Sequence, residues 1–183
     1  GQAIGSQHIG DLETAEAFEA FEGVIGDLGR LYEASPLRVA CDAHPDYLST
    51  RYARGLGLPV VSVQHHMAHI LSCRAENELE GRVFGISWDG TGYGLDGSLW
   101  GGEFFDTGKA VFRRAAHLRS FRLPGGEKAI KEPRRSAVGL LFEIEGSRLF
   151  ERRELGSLLG VSEGEKGVLR TQLERGINAP ATS

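Results

Sequence analysis

The run Val60-Val61-Ser62-Val63, followed at once by Gln64-His65-His66-Met67-Ala68-His69, constrains the architecture of this chain more than any other stretch. Three β-branched valines in four residues read as a short buried strand. From His65 to about Asn77 the pattern reads as a helix, with Met67, Ile70, Leu71 and Cys73 among its apolar residues. A second strand signal, Arg82 to Trp88 (RVFGISW), comes next. On a helix His65 and His69 lie one turn apart and share a face. Two imidazoles held in that way can grip one divalent transition metal. They do not make a zincin site, because that motif needs Glu after the first His as general base and His66 stands there.

The strand signal ends on Asp89-Gly90-Thr91-Gly92-Tyr93-Gly94. An acidic side chain at the tip of a buried strand can reach into a cleft and bind a metal or orient a substrate. The glycines permit positive φ and let backbone N–H groups approach an anion. This is not a dinucleotide fingerprint: the next residues, Ser98 to Phe105, look like a strand and not a helix. Asp96-Gly97 is a hairpin signal. The plain alternative is that Asp89 to Gly97 is one long hairpin turn.

Before this stretch, Phe18, Phe21, Ile25, Leu28 and Leu31 form an amphipathic stripe that Asp11 or Thr14 can cap, with Phe18 and Phe21 as core. His8 reads as a capping or packing residue. Leu37 to Cys41 is strand-like, and a short helix runs from about Tyr47 to Leu56. Between them, Asp42-Ala43-His44-Pro45-Asp46 has a turn-and-cap composition, although a loop at a strand's carboxyl end is also where open α/β sheets place ligands. With a further strand at about Val111 to Leu118, the order is that of an α/β protein with an antiparallel meander: a mixed sheet flanked by helices. Phe104, Phe105 and Phe112 read as sheet core.

A second candidate site is Leu123 to Arg135 (LPGGEKAIKEPRR), where a tight Pro124-Gly125-Gly126 turn is followed by Lys128, Lys131, Arg134 and Arg135. Such a loop can bind a phosphate or a carboxylate; a solvated charge cluster before a helix is the alternative. Pro133 suits the first turn of a helix that reaches about Ile144. Helical segments at Ser147 to Leu159 and Ser162 to Arg175 follow, and Ser162 with Glu165 makes a capping box. The formal net charge of −4, with 40% hydrophobic and 25% charged residues, gives no basic footprint for nucleic acid. No run approaches a membrane span. Cys41 and Cys73 lack metal-type spacing and read as buried reduced thiols of a cytoplasmic protein.

Taken together, QHHMAH, SWDGTGYGLDGSLWGGEFF and PGGEKAIKEPRR closely resemble the hydrogenase maturation carbamoyltransferase family, in the domain related to the threonylcarbamoyl-tRNA-modifying proteins. The resemblance starts near Ser6 and runs through most of the chain. It implies an actin-like, sugar-kinase-like (ASKHA) ATPase fold. Residues 1–10 are then a linker or remnant of a preceding segment, and residues 11–183 a carbamoyltransferase domain incomplete at both ends, inactive by itself. Met67 stands where the family usually has a third histidine. The ligands implied are His65, His69 and Asp89, holding a divalent metal, iron or zinc. The substrates implied are carbamoyl phosphate and ATP, joined as carbamoyladenylate, and the acceptor is the C-terminal cysteine of a partner protein. Gly90, Thr91 and Gly92 would approach phosphate or ribose, with Gly125, Gly126 and His44 also on the substrate side. Lys128 and Arg134 would neutralise anionic oxygens as AMP leaves. Membrane and nucleic acid are not expected partners. A small-molecule O-carbamoyltransferase of the same fold, or a non-catalytic interaction domain whose histidines merely pack, are the alternative readings.

Overall fold

The computed structural model describes residues 3–108 and 111–183, with the side chain of Thr91 outside the description. The chain divides into two units, Gly1–Val63 and Gln64–Ser183.

In the first unit, helix α1 (Ala15–Leu31) starts where Thr14 supplies a capping hydroxyl, which accepts the Ala17 N–H at 3.2 Å. Strands β1 (Val39–Asp42) and β2 (Val60–Val63) pair in parallel, with helix α2 (Leu48–Gly55) between them in sequence. Phe18 and Phe21 pack edge-on against Tyr52 of α2, with ring centroids 6.3 and 5.3 Å away. Neither is fully buried, so the core expected at these two residues is a half-covered aromatic cluster. None of the α1 side chains is buried, and Ile25 and Leu31 are exposed.

The second unit opens with helix α3 (His65–Glu76) and strands β3 (Val83–Tyr93), β4 (Leu99–Thr107), β5 (Phe112–His117) and β6 (Phe121–Arg122). Helices α4 (Glu127–Lys131), α5 (Pro133–Glu145), α6 (Glu154–Leu159) and α7 (Glu163–Arg175) follow, and strand β7 (Ala181–Thr182) ends the order. β4 pairs antiparallel with β3 and β5, and in parallel with β7, which pairs antiparallel with β6. The mixed α/β architecture is therefore the one expected.

Two cores hold this unit. Ile70, Trp100 and Phe105 lock α3 onto the sheet, joined by Met67 and Phe112. Gly85 makes this possible, since a Cβ there would come within 2.7 Å of the Ile70 side chain. Val138, Leu149, Leu155, Val161, Leu169 and Leu173 form a separate helical core. Phe105 is buried as expected, whereas Phe104 and Phe112 are half-buried. The continuous helix expected from Ser147 to Leu159 is broken into a 3-10 helix at Gly146–Glu151 and then α6. Gly146 takes a φ of +63° and Arg152 is extended, so neither continues an α-helix. The capping box at Ser162 and Glu165 is present. Among the described residues no helix is long and apolar enough to cross a membrane.

Candidate metal centre and its surroundings

β3 does not stop at Trp88, as the sequence pattern suggests. It continues to Tyr93 through an irregularity: Trp88 pairs with Gly102, and the next pair is Gly92 with Trp100. Three residues of β3 thus lie opposite one residue of β4, a bulge wide enough to re-aim a side chain. Asp89 is the first residue of that bulge. The true turn is shorter, with Gly94 N–H bonded to Ser98 O at 2.8 Å and Gly97 at φ +77°. The Asp89-to-Gly97 stretch is therefore part bulged strand and part tight hairpin.

The bulge brings Asp89 to the two histidines of α3. Asp89 Oδ2 lies 2.8 Å from His65 Nε2 and 3.3 Å from His69 Nε2, and the two Nε2 atoms are 3.2 Å apart. One ligand atom from each of the three residues lies within 4.8 Å of the others. Burial works against the charged form of Asp89, but the Gly90 N–H at 2.7 Å from Oδ1 and the neighbouring imidazoles of His65, His66 and His69 outweigh it. Its pKa is lowered overall, so the carboxylate is an anionic acceptor at neutral pH. Two imidazole nitrogens and one carboxylate oxygen suit borderline divalent ions such as zinc or iron, and three protein ligands leave positions open.

His66 points elsewhere, as its place on the helix requires. It is fully buried, and burial is the leading cause of its lowered pKa. Its Nδ1 meets the Gln64 side-chain amide at 3.2 Å. Gly92 leaves the room it needs, since a Cβ there would lie 2.6 Å from His66 Nδ1 and 3.2 Å from His65 Cβ.

Asp89 and Trp88 border two clefts. One, of about 480 Å³, runs along His69, Cys73, Arg74 and the Phe84–Trp88 stretch. Cys73 is exposed there, not buried as expected, because the helix face it shares with His69 looks into this cleft. The other cleft, of about 570 Å³, is mostly apolar and is walled by Gly101, Gly102, Ile130, Pro133 and Leu140. The segment after the Gly-Gly turn does face a cleft that Asp89 borders, but through Ile130, Pro133 and Ser136.

The cations of that segment are placed differently from one another. Arg134 is bound to Glu165 (2.9 Å), Glu132 (3.0 Å) and the Gly160 carbonyl (2.8 Å), and Arg135 joins the same two carboxylates. Lys128 makes one looser pair, 3.6 Å from Glu132. The Gly125 N–H is donated to Asn178 O at 2.8 Å and the Gly126 N–H to Leu123 O at 3.0 Å, so the turn spends its donors internally. His44 belongs to the first unit. Its ring stacks on Tyr47 at 4.2 Å, its backbone N–H is donated to Asp42 Oδ1, and its Nδ1 accepts the Asp46 N–H. The turn-and-cap composition accounts for these contacts. Thr91 lies outside the described side chains.

Two groups near the site carry no sequence signal. Gln64 caps α3, although glutamine is not among the favoured capping residues. Glu103, fully buried, pairs with Arg114, which also lies over the Trp100 ring at 4.2 Å. Burial raises the Glu103 pKa, but hydrogen bonds from Arg114, Ser183 and Gly101 bring it below the usual value.

The chain is similar over nearly its whole length to known proteins. Residues 1–76 match the HypF Kae1-like domain, and residues 85–183 match the family described as carbamoyltransferase, Kae1-like domain, second subdomain. Carbamoyltransferase HypF of Synechocystis sp. is 45% identical over 178 residues, 97% of this chain and 23% of the relative. That of Rhizobium leguminosarum bv. viciae is 44% identical over 140 residues, 76% of this chain and 18% of the relative. A crystal structure of full-length HypF in the phosphate- and nucleotide-bound form superposes with a TM-score of 0.86 at 41% identity, covering 97% of this chain and 23% of that one. The T. kodakarensis HypF structure gives 0.82 at 33% identity, covering 97% and 25%. These neighbours agree with the ASKHA-type fold that the resemblance implies. The chain spans about a quarter of the length of such relatives. Because the second-subdomain match alone takes in residues 85–183, more than half of the chain, the chain belongs to the HypF carbamoyltransferase family, within its Kae1-like region.

Proposed function

We propose that the protein carrying this region is a cytoplasmic carbamoyltransferase of nickel–iron hydrogenase maturation, and that His65, His69 and Asp89 hold a divalent metal at its transfer site. The observation that carries the reading is the convergence of those three side chains within a region that matches carbamoyltransferase families. The donor is carbamoyladenylate, formed from carbamoyl phosphate and ATP. The acceptor is the C-terminal cysteine of a partner protein. Its thiolate attacks the carbamoyl carbon; a C–S bond forms, the bond from that carbon to the phosphate oxygen breaks, and AMP leaves with the electron pair. A bound divalent ion supplies Lewis acidity for anionic or carbonyl oxygens.

The residues of this chain bind and orient. Asp89 keeps Oδ1 for the Gly90 N–H and turns Oδ2 to the histidines. Gly90 borders the larger cleft, where the backbone from Gly90 to Gly92 faces substrate phosphate or ribose on this reading. Lys128, exposed and only loosely paired with Glu132, is the cation this reading assigns to an anionic oxygen. Arg134 instead ties α5 to α7 through Glu165.

The test uses the full-length protein with an acceptor ending in cysteine, ATP and carbamoyl phosphate, read by intact mass. The acceptor should gain one carbamoyl group with the wild type. The His65→Ala, His69→Ala double variant should give none while its melting temperature stays close to wild type. Transfer at the wild-type rate by that variant would remove these residues from the chemistry. No mass gain with the wild type would point to a different acceptor, such as a small-molecule hydroxyl.

A further inference from the structure

We infer that Gln64 is a positioning residue for the metal centre, acting with buried His66 to fix the gap between the α3 histidines and Asp89. The inference rests on the metal reading above and adds to it a device that keeps Asp89 close to the α3 histidines before any ion arrives.

Asp89 sits in a bulge, where the ladder to β4 does not set its position. Something else must hold it in register with α3. Gln64, 2% exposed, is hydrogen-bonded to both elements, in addition to the packing of Ile70 on Gly85. Its Oε1 accepts the Met67 N–H at 3.0 Å, which closes the first turn of α3. Its Nε2 donates to the Tyr93 carbonyl at 3.2 Å, just past the bulge, where β3 is again paired with β4. These two partners fix which way round the amide lies, because a carbonyl cannot donate and a backbone N–H cannot accept. The second hydrogen on Nε2 then faces His66 Nδ1 at 3.2 Å, so that nitrogen must accept. Nδ1 of His66 is thus the acceptor in this arrangement, which assigns the ring proton to Nε2, a buried atom with no hydrogen-bond partner among the described residues.

The packing works in the same direction. His66 fills the space beside Gly92, next to His65 Cβ. The helix is thus pinned to the bulge by a hydrogen bond at Tyr93 and by a close contact at Gly92, and the His65–Asp89 approach of 2.8 Å lies on the same segment. Groups that orient metal ligands from behind commonly change metal affinity 10–100-fold when removed.

Gln64→Asn separates the two jobs of this side chain. Asparagine is a favoured helix cap, so the turn at Met67 survives, but it is one methylene too short to reach the Tyr93 carbonyl. Gly92→Ala disturbs the same gap from the packing side. Both are made in the full-length protein, with the His65→Ala, His69→Ala double variant as the blank for metal bound elsewhere. Co²⁺ is the probe, read by titration and by its visible absorption. Both variants should bind Co²⁺ about 10–100-fold more weakly than wild type, with a shifted spectrum; Gln64→Asn should melt close to wild type, whereas Gly92→Ala, whose new methyl meets the buried His66 ring, should melt lower. In a metal-free crystal structure of Gln64→Asn the His65–Asp89 gap should open beyond 2.8 Å. Unchanged Co²⁺ affinity, spectrum and gap would make Gln64 a helix cap alone and overturn the inference. If wild type matches the blank, the metal reading fails instead, and the gap in the variant still decides whether Gln64 positions Asp89.

Discussion

Gly139 lies inside α5, where a methyl group would collide with the Arg122 carbonyl oxygen and approach Pro124 Cδ at 3.2 Å. Helix propensity alone favours alanine there by ~1 kcal/mol. The obstacle is backbone, however, and cannot rotate away, and overpacking of this kind costs about 1–3 kcal/mol or more. Sterics should win, so Gly139→Ala should lower stability in urea unfolding; a stabilised variant would mean that α5 has room to move from β6. The sequence pattern gives no sign of this contact, because a glycine within an apolar helix looks like a tolerated defect until its neighbour is known. The same holds for the cations after the Gly-Gly turn, which look alike in sequence. Arg134 is enclosed by Glu132, Glu165 and a carbonyl, whereas Lys128 reaches one carboxylate loosely. Arg134→Ala should therefore lower the melting temperature and Lys128→Ala should not. The reverse order would return Arg134 to the substrate side.

At the scale of the elements, Asp106 on β4 links three strands' worth of chain. Arg82, just before β3, clasps it through Nε at 2.7 Å and Nη2 at 2.5 Å, and Arg113 of β5 adds a contact at 3.4 Å. The hydrogen bond from Arg82 is the main reason its pKa falls from 3.8 to about 2. A carboxyl group depressed in the folded state stabilises the fold above its unfolded pKa and loses that contribution as it is protonated. The melting-temperature difference between wild type and Asp106→Asn should therefore be full above pH 3.8 and shrink toward zero near pH 2. A difference independent of pH would show that the ion pairs contribute nothing. Strand and helix identities were largely legible at this scale: the His-rich helix and the capping box stand where their residue patterns put them, and the valine run is a strand, although a mostly exposed and not a buried one. The course of β3 past Asp89 was not legible, because glycines signal a loop and a bulge equally well. The His65–His69 pair followed from helical period alone; that Asp89 meets it depends on that bulge.

For the molecule as a whole, the chain covers 23% of the Synechocystis relative, and its second unit carries one candidate metal centre among the described residues. Group transfer depends on reacting atoms held within a fraction of an ångström, and sites between domains draw groups from each. The 183-residue region alone should therefore bind a divalent ion but leave a cysteine-ended acceptor unmodified in the presence of ATP and carbamoyl phosphate. Intact mass of the acceptor reads this directly, and a carbamoyl gain would show that the region suffices.

The outer strand of the larger sheet has a consequence for handling the region in solution. β3 ends the strand order, and Phe84, Ile86 and Trp88 alternate along it with exposures of 62%, 57% and 75%. Such an edge, with bulky apolar groups on one face, is a template on which a second chain can add a strand. Concentrated samples of the region should self-associate through this edge, with the apparent mass rising with concentration in sedimentation. Ile86→Lys places a gatekeeping charge in the middle of the row, three residues before Asp89, and should keep the region monomeric while Co²⁺ binding persists.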